Sequence, residues 1–441
     1  MDNWIKLNEE IIKPGLCTQC GSCVGLSNGK LIFKEKKGIP VPVKIKEDDI
    51  NSECYDGCPA RYCNYPDLNK FVFGELPSNW LCGVVKNSYI SYSNDENIRR
   101  NSASGGVITR TLMYLLETKK VKGVICIQLG KNVPYKAEPV IIKKKEDLIK
   151  TAQSVYSVTP VNTILKILDK EEGPFAYVGL PDQVASIRKL QKLGHKGANK
   201  IKYILGPYTG TQMYFEAIRS FLRSNNVKSE EEITSLKYRA GEWPGYLEIK
   251  LKDGRVLRAE KFYYNYLIPF FITSSSLQVV DFTNELTDIS VGDAWSPKYE
   301  GKGKGYSVVL SRTEQGDAIL QEMSKKKLIT LEDVNLDEAL NMHGHMIDFK
   351  KRGSFIRNSW KKIRPDYGYS PEKIHFSRIL VEIVISTIFK IGQLKISRWV
   401  VEQIPLGILG PIFNKIRLKW KGMSRTTKRK GLSDSKFVIH D

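Results

Sequence analysis

Phe175-Ala-Tyr-Val-Gly-Leu-Pro-Asp-Gln-Val-Ala-Ser-Ile-Arg-Lys-Leu190 runs from an apolar stretch through a Gly-Leu-Pro turn into a helical pattern. It reads as a strand over 175–179 and a helix over 183–190. The same unit recurs on either side. Upstream, residues 84–93 read as a strand, and 105–117 as a helix with Val107, Ile108, Leu112, Leu115 and Leu116 inward. Residues 121–129 read as a strand and 161–168 as a helix. Downstream, 201–205 is a strand, followed by a helix carrying Met213, Phe215, Ile218, Phe221 and Leu222. Strands alternating with helices predict an α/β layered fold. Residues 246–251 and 256–257, joined across Asp253-Gly254, read as an inserted β-hairpin, and 288–291 as a buried strand ending at Gly292-Asp293. No internal repeat is visible.

The chain has 441 residues, enough for two or three domains with real cores. An apolar fraction of 41% beside 27% charged residues is that of a folded protein rather than a disordered one. Its 69 basic residues against 48 acidic ones, net +21, call for an anionic partner such as nucleic acid, a membrane surface or an acidic protein. The opening MDNWIKLNEE lacks the basic-then-apolar order of a secretion signal, which predicts a cytoplasmic protein. Of eight cysteines, six crowd between residues 17 and 63. Such a cluster in a reducing compartment reads as metal binding, in a small module held by its metal rather than by a core.

Cys17-Thr-Gln-Cys20-Gly-Ser-Cys23 sets three thiolates at two-residue intervals, a loop that wraps one corner of a cubane. A distant cysteine followed by proline closes such a site, and Cys58-Pro59 supplies that pair, with Cys54 and Cys63 competing for the fourth place. Zinc is the alternative, although structural zinc sites usually pair two separated Cys-x-x-Cys units. Cys82 and Cys126 read as structural, Cys126 as a small hydrophobe inside an apolar strand.

Arg100-Asn-Ser-Ala-Ser-Gly-Gly-Val107 sits where the first good helix begins. Small hydroxyl residues and two glycines there present backbone N–H groups to an anion, a phosphate or the polar edge of a flavin. Alone, the string serves as readily as a plain helix cap. Further along come Ser154-Val-Tyr-Ser157, Phe175-Ala-Tyr-Val-Gly-Leu-Pro181 and Arg239 with Gly241-Glu-Trp-Pro-Gly245. Asp288-Ile-Ser-Val-Gly-Asp-Ala-Trp295 and Ser311-Arg-Thr313 follow. With the cysteine module and in this order, from Cys17 to Gly316, these motifs resemble the coenzyme F420 hydrogenase/dehydrogenase beta-subunit family, which also includes the plant hydroxymethyl chlorophyll reductase.

The resemblance implies a flavin, usually FAD, exchanging electrons with iron–sulfur clusters, and a reduced deazaflavin or a ferredoxin as partner carrier. It implies that Ser104, Gly105 and Gly106 line the flavin, with Arg100, Ser157, Gly292 and Asp293 at its site. Arg239 and Asp293 are the candidates for moving a proton, though each reads as well as a salt bridge or a strand-end cap. Trp243-Pro244-Gly245 either covers the flavin ring or simply turns the chain into the hairpin. Many relatives carry four more cysteines for a second cluster. Asp182, Thr209, Ser276 and Val279 stand in those places, so one 4Fe–4S cluster is expected here and the electron route is altered. The expected organisation is an iron–sulfur module over 1–75 and the family's N-terminal flavin-binding region over 84–170. The family's C-terminal α/β region with the hairpin follows over 171–345, then a basic helical tail over 346–441.

In that tail, 379–389 and 399–413 are apolar but short of the roughly 20 residues that span a bilayer. Glu382, Ser386, Lys390, Gln393 and Ser397 form one narrow polar stripe on a helix, leaving a wide apolar face. Lys415, Arg417, Lys419, Lys421, Arg425, Lys428, Arg429 and Lys430 follow, with no acid between Glu402 and Asp434. An apolar face with a polybasic end suits a helix lying on an anionic membrane through 376–430, peripheral on its inner face. Packing on the protein's own core or on a partner subunit is the alternative. The function expected is a flavin-dependent iron–sulfur oxidoreductase. The competing readings are a non-catalytic electron-transfer subunit of a membrane-associated complex and a zinc-module nucleic-acid-binding protein. No aromatic-basic RNA signature or recognition helix supports the last, and no specific nucleic acid is expected.

Overall fold

Apolar runs of four to eight residues pair into a mixed sheet, and the direction of its strands decides where a ligand can lie. The computed structural model describes residues 2–260, 264–429, 431–433 and 435–440. A hairpin of β1 (Leu31–Lys36) and β2 (Ile39–Lys44) belongs to the cysteine module. Eight strands form the main sheet: β3 (Asn87–Ser93), β4 (Gly123–Leu129), β5 (Ala137–Ile142), β6 (Phe175–Val178), β7 (Ile201–Pro207), β11 (Ile289–Asp293), β12 (Ser307–Ser311) and β13 (Ile329–Asp333). Their order is β13-β3-β12-β11-β7-β6-β4-β5. The four strands β4, β6, β7 and β11 are parallel to one another, and β12 is antiparallel to both β11 and β3. So β3 runs with the parallel set, and five carboxyl ends meet at one edge. In open α/β sheets that edge is where ligands bind.

Helices cover both faces. On one, α1 (Val107–Glu117) and α4 (Glu314–Lys325) bury Leu112, Leu115, Ile319 and Met323 against Val124, Leu205 and Val309. On the other, α2 (Pro181–Lys192) buries Val184, Ile187 and Leu190 against Ile125, Phe175 and Ile204. The expected helix over 161–168 is a 3-10 turn followed by a single α turn. The expected hairpin is present as β9 (Tyr246–Leu251) and β10 (Val256–Glu260), but it joins β8 (Ile233–Ala240) in a separate three-stranded sheet. Helix α3 (Glu216–Ser224) packs Ile218, Phe221 and Leu222 beneath that sheet.

The cysteine module is not held by metal alone, as its sequence suggested. Leu7, Ile11, Leu16, Leu26 and Leu31 share one apolar cluster with Leu165, Val184, Ile187 and Leu190 of the body. Fully burying each such side chain is worth roughly 1.5–3 kcal/mol.

Residues 344–359 are likewise built into the body: Asp348, Lys350, Lys351 and Arg352 are all buried. Three helices follow, α5 (Phe376–Gly392), α6 (Lys395–Glu402) and α7 (Leu406–Arg429). The chain then returns as β15 (Phe437–Ile439), antiparallel to β14 (Tyr369–Pro371). Lys430 and Asp434 lie outside the described residues. Among the described residues, no helix is long and apolar enough to cross a membrane.

Candidate functional site

Cys17, Cys20, Cys23 and Cys58 line one cavity, closed on its apolar side by Leu7 and Ile11. Its free volume is about 10 Å³, room for about one water, with four thiols around it. Cys54 and Cys63 stand off it: the buried Cys54 thiol donates to the Cys23 carbonyl at 3.4 Å, and Cys63 is buried elsewhere. Burial pushes the Cys20 thiol up to about 12, and the nearness of Cys58 adds to it. Cys17 and Cys23 are raised by burial and then by their neighbouring sulfurs, and Cys58 chiefly by burial. Four thiols, Cys20 and Cys23 buried and Cys17 and Cys58 half-buried, that oppose one another's ionisation become thiolates when cationic metal lies among them. The donor set fits a metal-cluster site. Among the described residues, no three His, Cys, Asp or Glu side chains gather closely enough for a single ion.

Two glycines let the cysteine loop lie against the body. A Cβ on Gly21 would sit 2.8 Å from the Pro160 carbonyl, and one on Gly25 would sit 2.4 Å from that of Asn162. The rest of the docking comes from α2, whose Asp182, Ser186 and Lys189 recur at i, i+4 and i+7 on one face. Ser186 donates to the Gly57 carbonyl at 2.7 Å and shares a 2.6 Å hydrogen bond with Ser22. Lys189 donates to the Cys58 carbonyl at 2.6 Å. Burial holds the Asp182 carboxyl up at about 6, against the nearby Lys350 charge. The sequence reading missed Ser186 and Lys189, although their spacing was visible in it. Ser186→Ala should lower the unfolding free energy by about 1–2 kcal/mol in urea titration, because the Gly57 carbonyl loses its donor. An unchanged midpoint would show that this bond does not secure the module.

A second site lies at the carboxyl edge of the main sheet. Ser104 donates to the Tyr306 carbonyl at 2.7 Å, and the Gly105 N–H donates to Ser307 Oγ at 3.0 Å. Helix α1 then opens behind Gly106, whose φ of 79° makes it a left-handed cap, with no side chain bonded to its first turn. Ser307 is the register partner of Asp293 across β12 and β11. The Asp293 carboxylate accepts from Arg239 at 3.1 Å and from the Trp243 indole at 3.3 Å. Arg239 continues from Tyr238, which hydrogen-bonds Ser157. Ser104, Gly105, Gly106, Ser157, Gly292 and Asp293 are therefore linked through these contacts. Tyr238 also forms part of the wall of a cavity of about 370 Å³, together with Asn101, Leu129, Lys150, Gln153 and Ser154. That volume is in the range of small-molecule and cofactor sites.

One buried ion pair, Arg239 with Asp293, dominates the electrostatics here. Burial works against the Arg239 charge, yet Asp293, Tyr156 and Tyr264 keep its pKa above the ordinary value. Its Nη2 is buried with no hydrogen-bond partner among the described residues. Arg239 and Asp293 form the salt bridge that their plainer reading predicted. Trp243 packs on Trp295 with ring centres 4.8 Å apart, over this ion pair. Burial pushes His343 down to about 4, and its ring nitrogen lies 2.7 Å from the Asp293 carbonyl. Arg100 stands apart: it is exposed on the short helix Glu96–Asn101 and meets Glu96 at 4.0 Å. The buried arginine there is Arg99, stacked on Tyr92 and Tyr306 and donating to the Gly305 carbonyl at 3.0 Å. At Ser276, one of the four positions where the resemblance expects a further cysteine, the buried Lys350 donates to the backbone carbonyl at 2.7 Å. Burial drives its pKa to about 7, with Asp182 among the groups that oppose the fall.

Two family models for the beta subunit of coenzyme F420 hydrogenase/dehydrogenase match the chain, the one for its N-terminal part over residues 88–166 and the one for its C-terminal part over 173–337. Together they cover more than half of the chain. The coenzyme F420-dependent sulfite reductase of Methanocaldococcus jannaschii is 26% identical over 401 residues, 86% of this chain. The chain spans only 57% of that relative's length. The coenzyme F420 hydrogenase subunit beta of Methanothermobacter thermautotrophicus is 25% identical over 252 residues, 55% of this chain and 82% of its own. A chain of the F420-reducing NiFe hydrogenase complex of Methanosarcina barkeri shares the fold, with a TM-score of 0.50 at 18% identity. That likeness covers 65% of this chain and 97% of the other.

Proposed function

The chain belongs to the coenzyme F420 hydrogenase/dehydrogenase beta-subunit family, and from that premise we propose that it is an electron-transfer oxidoreductase using FAD and one 4Fe–4S cluster. What supports the reading is that one chain carries both a cavity lined by four cysteines and, on the Tyr238 side of the Ser157–Tyr238–Arg239–Asp293 series, a cavity of cofactor size. Cys17, Cys20, Cys23 and Cys58 would hold the cluster. Three cysteines at two-residue spacing with a distant Cys-Pro suit a cluster better than a single zinc ion. Ser104, Gly105, Gly106, Ser157, Gly292 and Asp293 would border the flavin. A bound flavin supplies the step between a two-electron carrier and one-electron carriers. The chain's own residues do the rest. The N–H groups that open α1 favour negative charge, Arg239 fixes the Asp293 carboxylate, Trp243 and Trp295 pack beside that pair, and the neutral His343 keeps Asp293 in place.

Reduced deazaflavin is the carrier that the relatives' names favour; a ferredoxin is the second candidate, and a cytoplasmic site of action goes with either. Because one solved relative is part of a hydrogenase complex, service as the electron-transfer subunit of a larger assembly is a narrower form of the same proposal. The test is anaerobic purification, iron and flavin analysis, then rapid mixing with each reduced carrier. Bleaching of flavin absorbance by reduced deazaflavin, and not by reduced ferredoxin, is the expected result. Protein that contains flavin but responds to neither carrier would refute the choice of donor, and protein without flavin would refute the proposal.

A further inference from the structure

Helix α5 is built inside out. The N-terminal part of its polar stripe faces the protein: Glu382 is wholly buried between Arg357, at 2.6 Å, and Arg378, at 2.9 Å, and Arg378 also binds Asp348 at 2.9 Å. Its outward face is apolar, with Leu380, Val384, Ile388 and Ile391 each more than two-fifths exposed. A helix docked on its own core shows the opposite arrangement. The two helices that pack with it continue the pattern. On α6, Ile396 is 67% and Trp399 60% exposed, while Val401 is turned inward. On α7, Ile408, Ile412 and Ile416 recur every fourth residue, all more than half exposed. So large an outward apolar surface exceeds the scattered exposure normal for a soluble face.

The charges around it have one sign. Lys390, Lys395, Lys415, Lys419, Lys421 and Arg425 are exposed on these helices. The only acids between 376 and 429 are Glu382, sealed in the body, and Glu402, held by Arg223 at 2.7 Å. A second copy of the chain would set like charges face to face across a two-fold interface, which disfavours self-association. An anionic bilayer satisfies both features at once, taking the apolar side chains into its headgroup boundary and the lysines at its surface.

We propose that α5, α6 and α7 form a platform by which the protein lies on the surface of an anionic membrane. No helix crosses; the apolar faces enter only the outer part of one leaflet. The platform lies beyond residue 337, where the family models end. It also packs close to the candidate flavin site: α6 donates from Arg398 to the Phe270 carbonyl at 3.0 Å, and Phe271 shares an apolar cluster with Tyr238 and Tyr264.

Deleting the helices is a poor test, because it would strip Arg357 and Asp348 of their buried partners. Substitutions on the outward face leave those pairs intact. Full-length protein, with iron content and circular dichroism as controls for folding, is floated with vesicles of phosphatidylcholine alone or mixed with phosphatidylglycerol. The protein should float with the anionic vesicles only, and less as salt rises. The pair Lys415→Glu and Lys419→Glu, and separately the pair Ile412→Ser and Trp399→Ser, should each lower the bound fraction about tenfold or more. Brominated lipid should quench tryptophan emission, and Trp399→Phe should lose part of that quenching. Failure to float with any vesicle would overturn the proposal, as would equal binding to neutral vesicles. So would binding that ignores both pairs of substitutions, or self-association or a co-purified protein that covers the face in place of lipid.

Discussion

Anaerobically prepared protein is expected to carry about four irons and four sulfides per chain, and Cys58→Ser to lose nearly all of them. Cys20→Ser should do the same. Serine keeps the size of the side chain, so the loss reports on ligation and not on packing. Cys58 is the discriminating position, because it is the fourth cysteine on the cavity that Cys17, Cys20 and Cys23 line. Cys63→Ser and Cys54→Ser are the controls: both residues are buried away from that cavity, and a serine at 54 can still donate to the Cys23 carbonyl. Electron transfer from reduced carrier to an external acceptor should fall to background in the two ligand variants and hold in the controls. If Cys63→Ser loses iron and Cys58→Ser keeps it, the fourth ligand has been misassigned. Zinc without sulfide in the parent protein would end the cluster reading altogether.

Why the cysteine site was legible and its setting was not is a matter of range. Three thiols at two-residue spacing and a Cys-Pro pair are written in consecutive residues. The core under them is not: Leu7, Ile11 and Leu16 find partners at Leu165 and Ile187, more than a hundred residues away, and no local period announces that meeting. The strand–turn–helix at Phe175 was readable because an apolar run and a helical pattern flank a Gly-Leu-Pro turn. Ser307–Ser311 went unread, since five residues of mixed character cannot be told from a loop by period alone.

The second site divides the same way. The motifs around Ser104 and Gly292-Asp293 stood out singly, but their linkage through Ser307 depends on strand register, which the sequence does not reveal. Arg100 was named from its place ahead of the Ser-Gly-Gly loop, without a helix phase, and on this short helix it is Ile98 and Arg99 that turn inward. On α5 Glu382 and Ser386 keep the polar stripe that was drawn, but the helix ends at Gly392, before Gln393 and Ser397, and the direction of the stripe was hidden. Arg357 and Asp348, which draw Glu382 and Arg378 inward, lie outside the segment.

Gly105→Val is expected to cost the protein its flavin while sparing its iron. A Cβ at Gly105 would stand 2.6 Å from the Ser91 carbonyl and 3.0 Å from both Ser307 Oγ and the Tyr92 Cα. Backbone must therefore give way. Strand β3 cannot, because it is paired with β12 on one side and β13 on the other. The loop moves instead, and with it go the Gly105 N–H bond to Ser307 and the opening turn of α1. Overpacking of this kind usually costs about 1–3 kcal/mol, too little to unfold a domain of ordinary stability but enough to displace a loop by an ångström or more. The cysteine site is anchored elsewhere, on α2 and residues 160–163, so its iron should remain. Flavin content below about a tenth of the parent's with full iron is the expected pair of readings, since a loop shifted out of place loses most of its binding energy. Ser104→Ala, which removes one hydrogen bond and adds no bulk, should weaken flavin binding only several-fold. Loss of iron and flavin together would mean that the substitution unfolds the body. Full flavin in a folded Gly105→Val protein would show that the Ser-Gly-Gly loop is an internal cap, and that the flavin sits elsewhere on the edge.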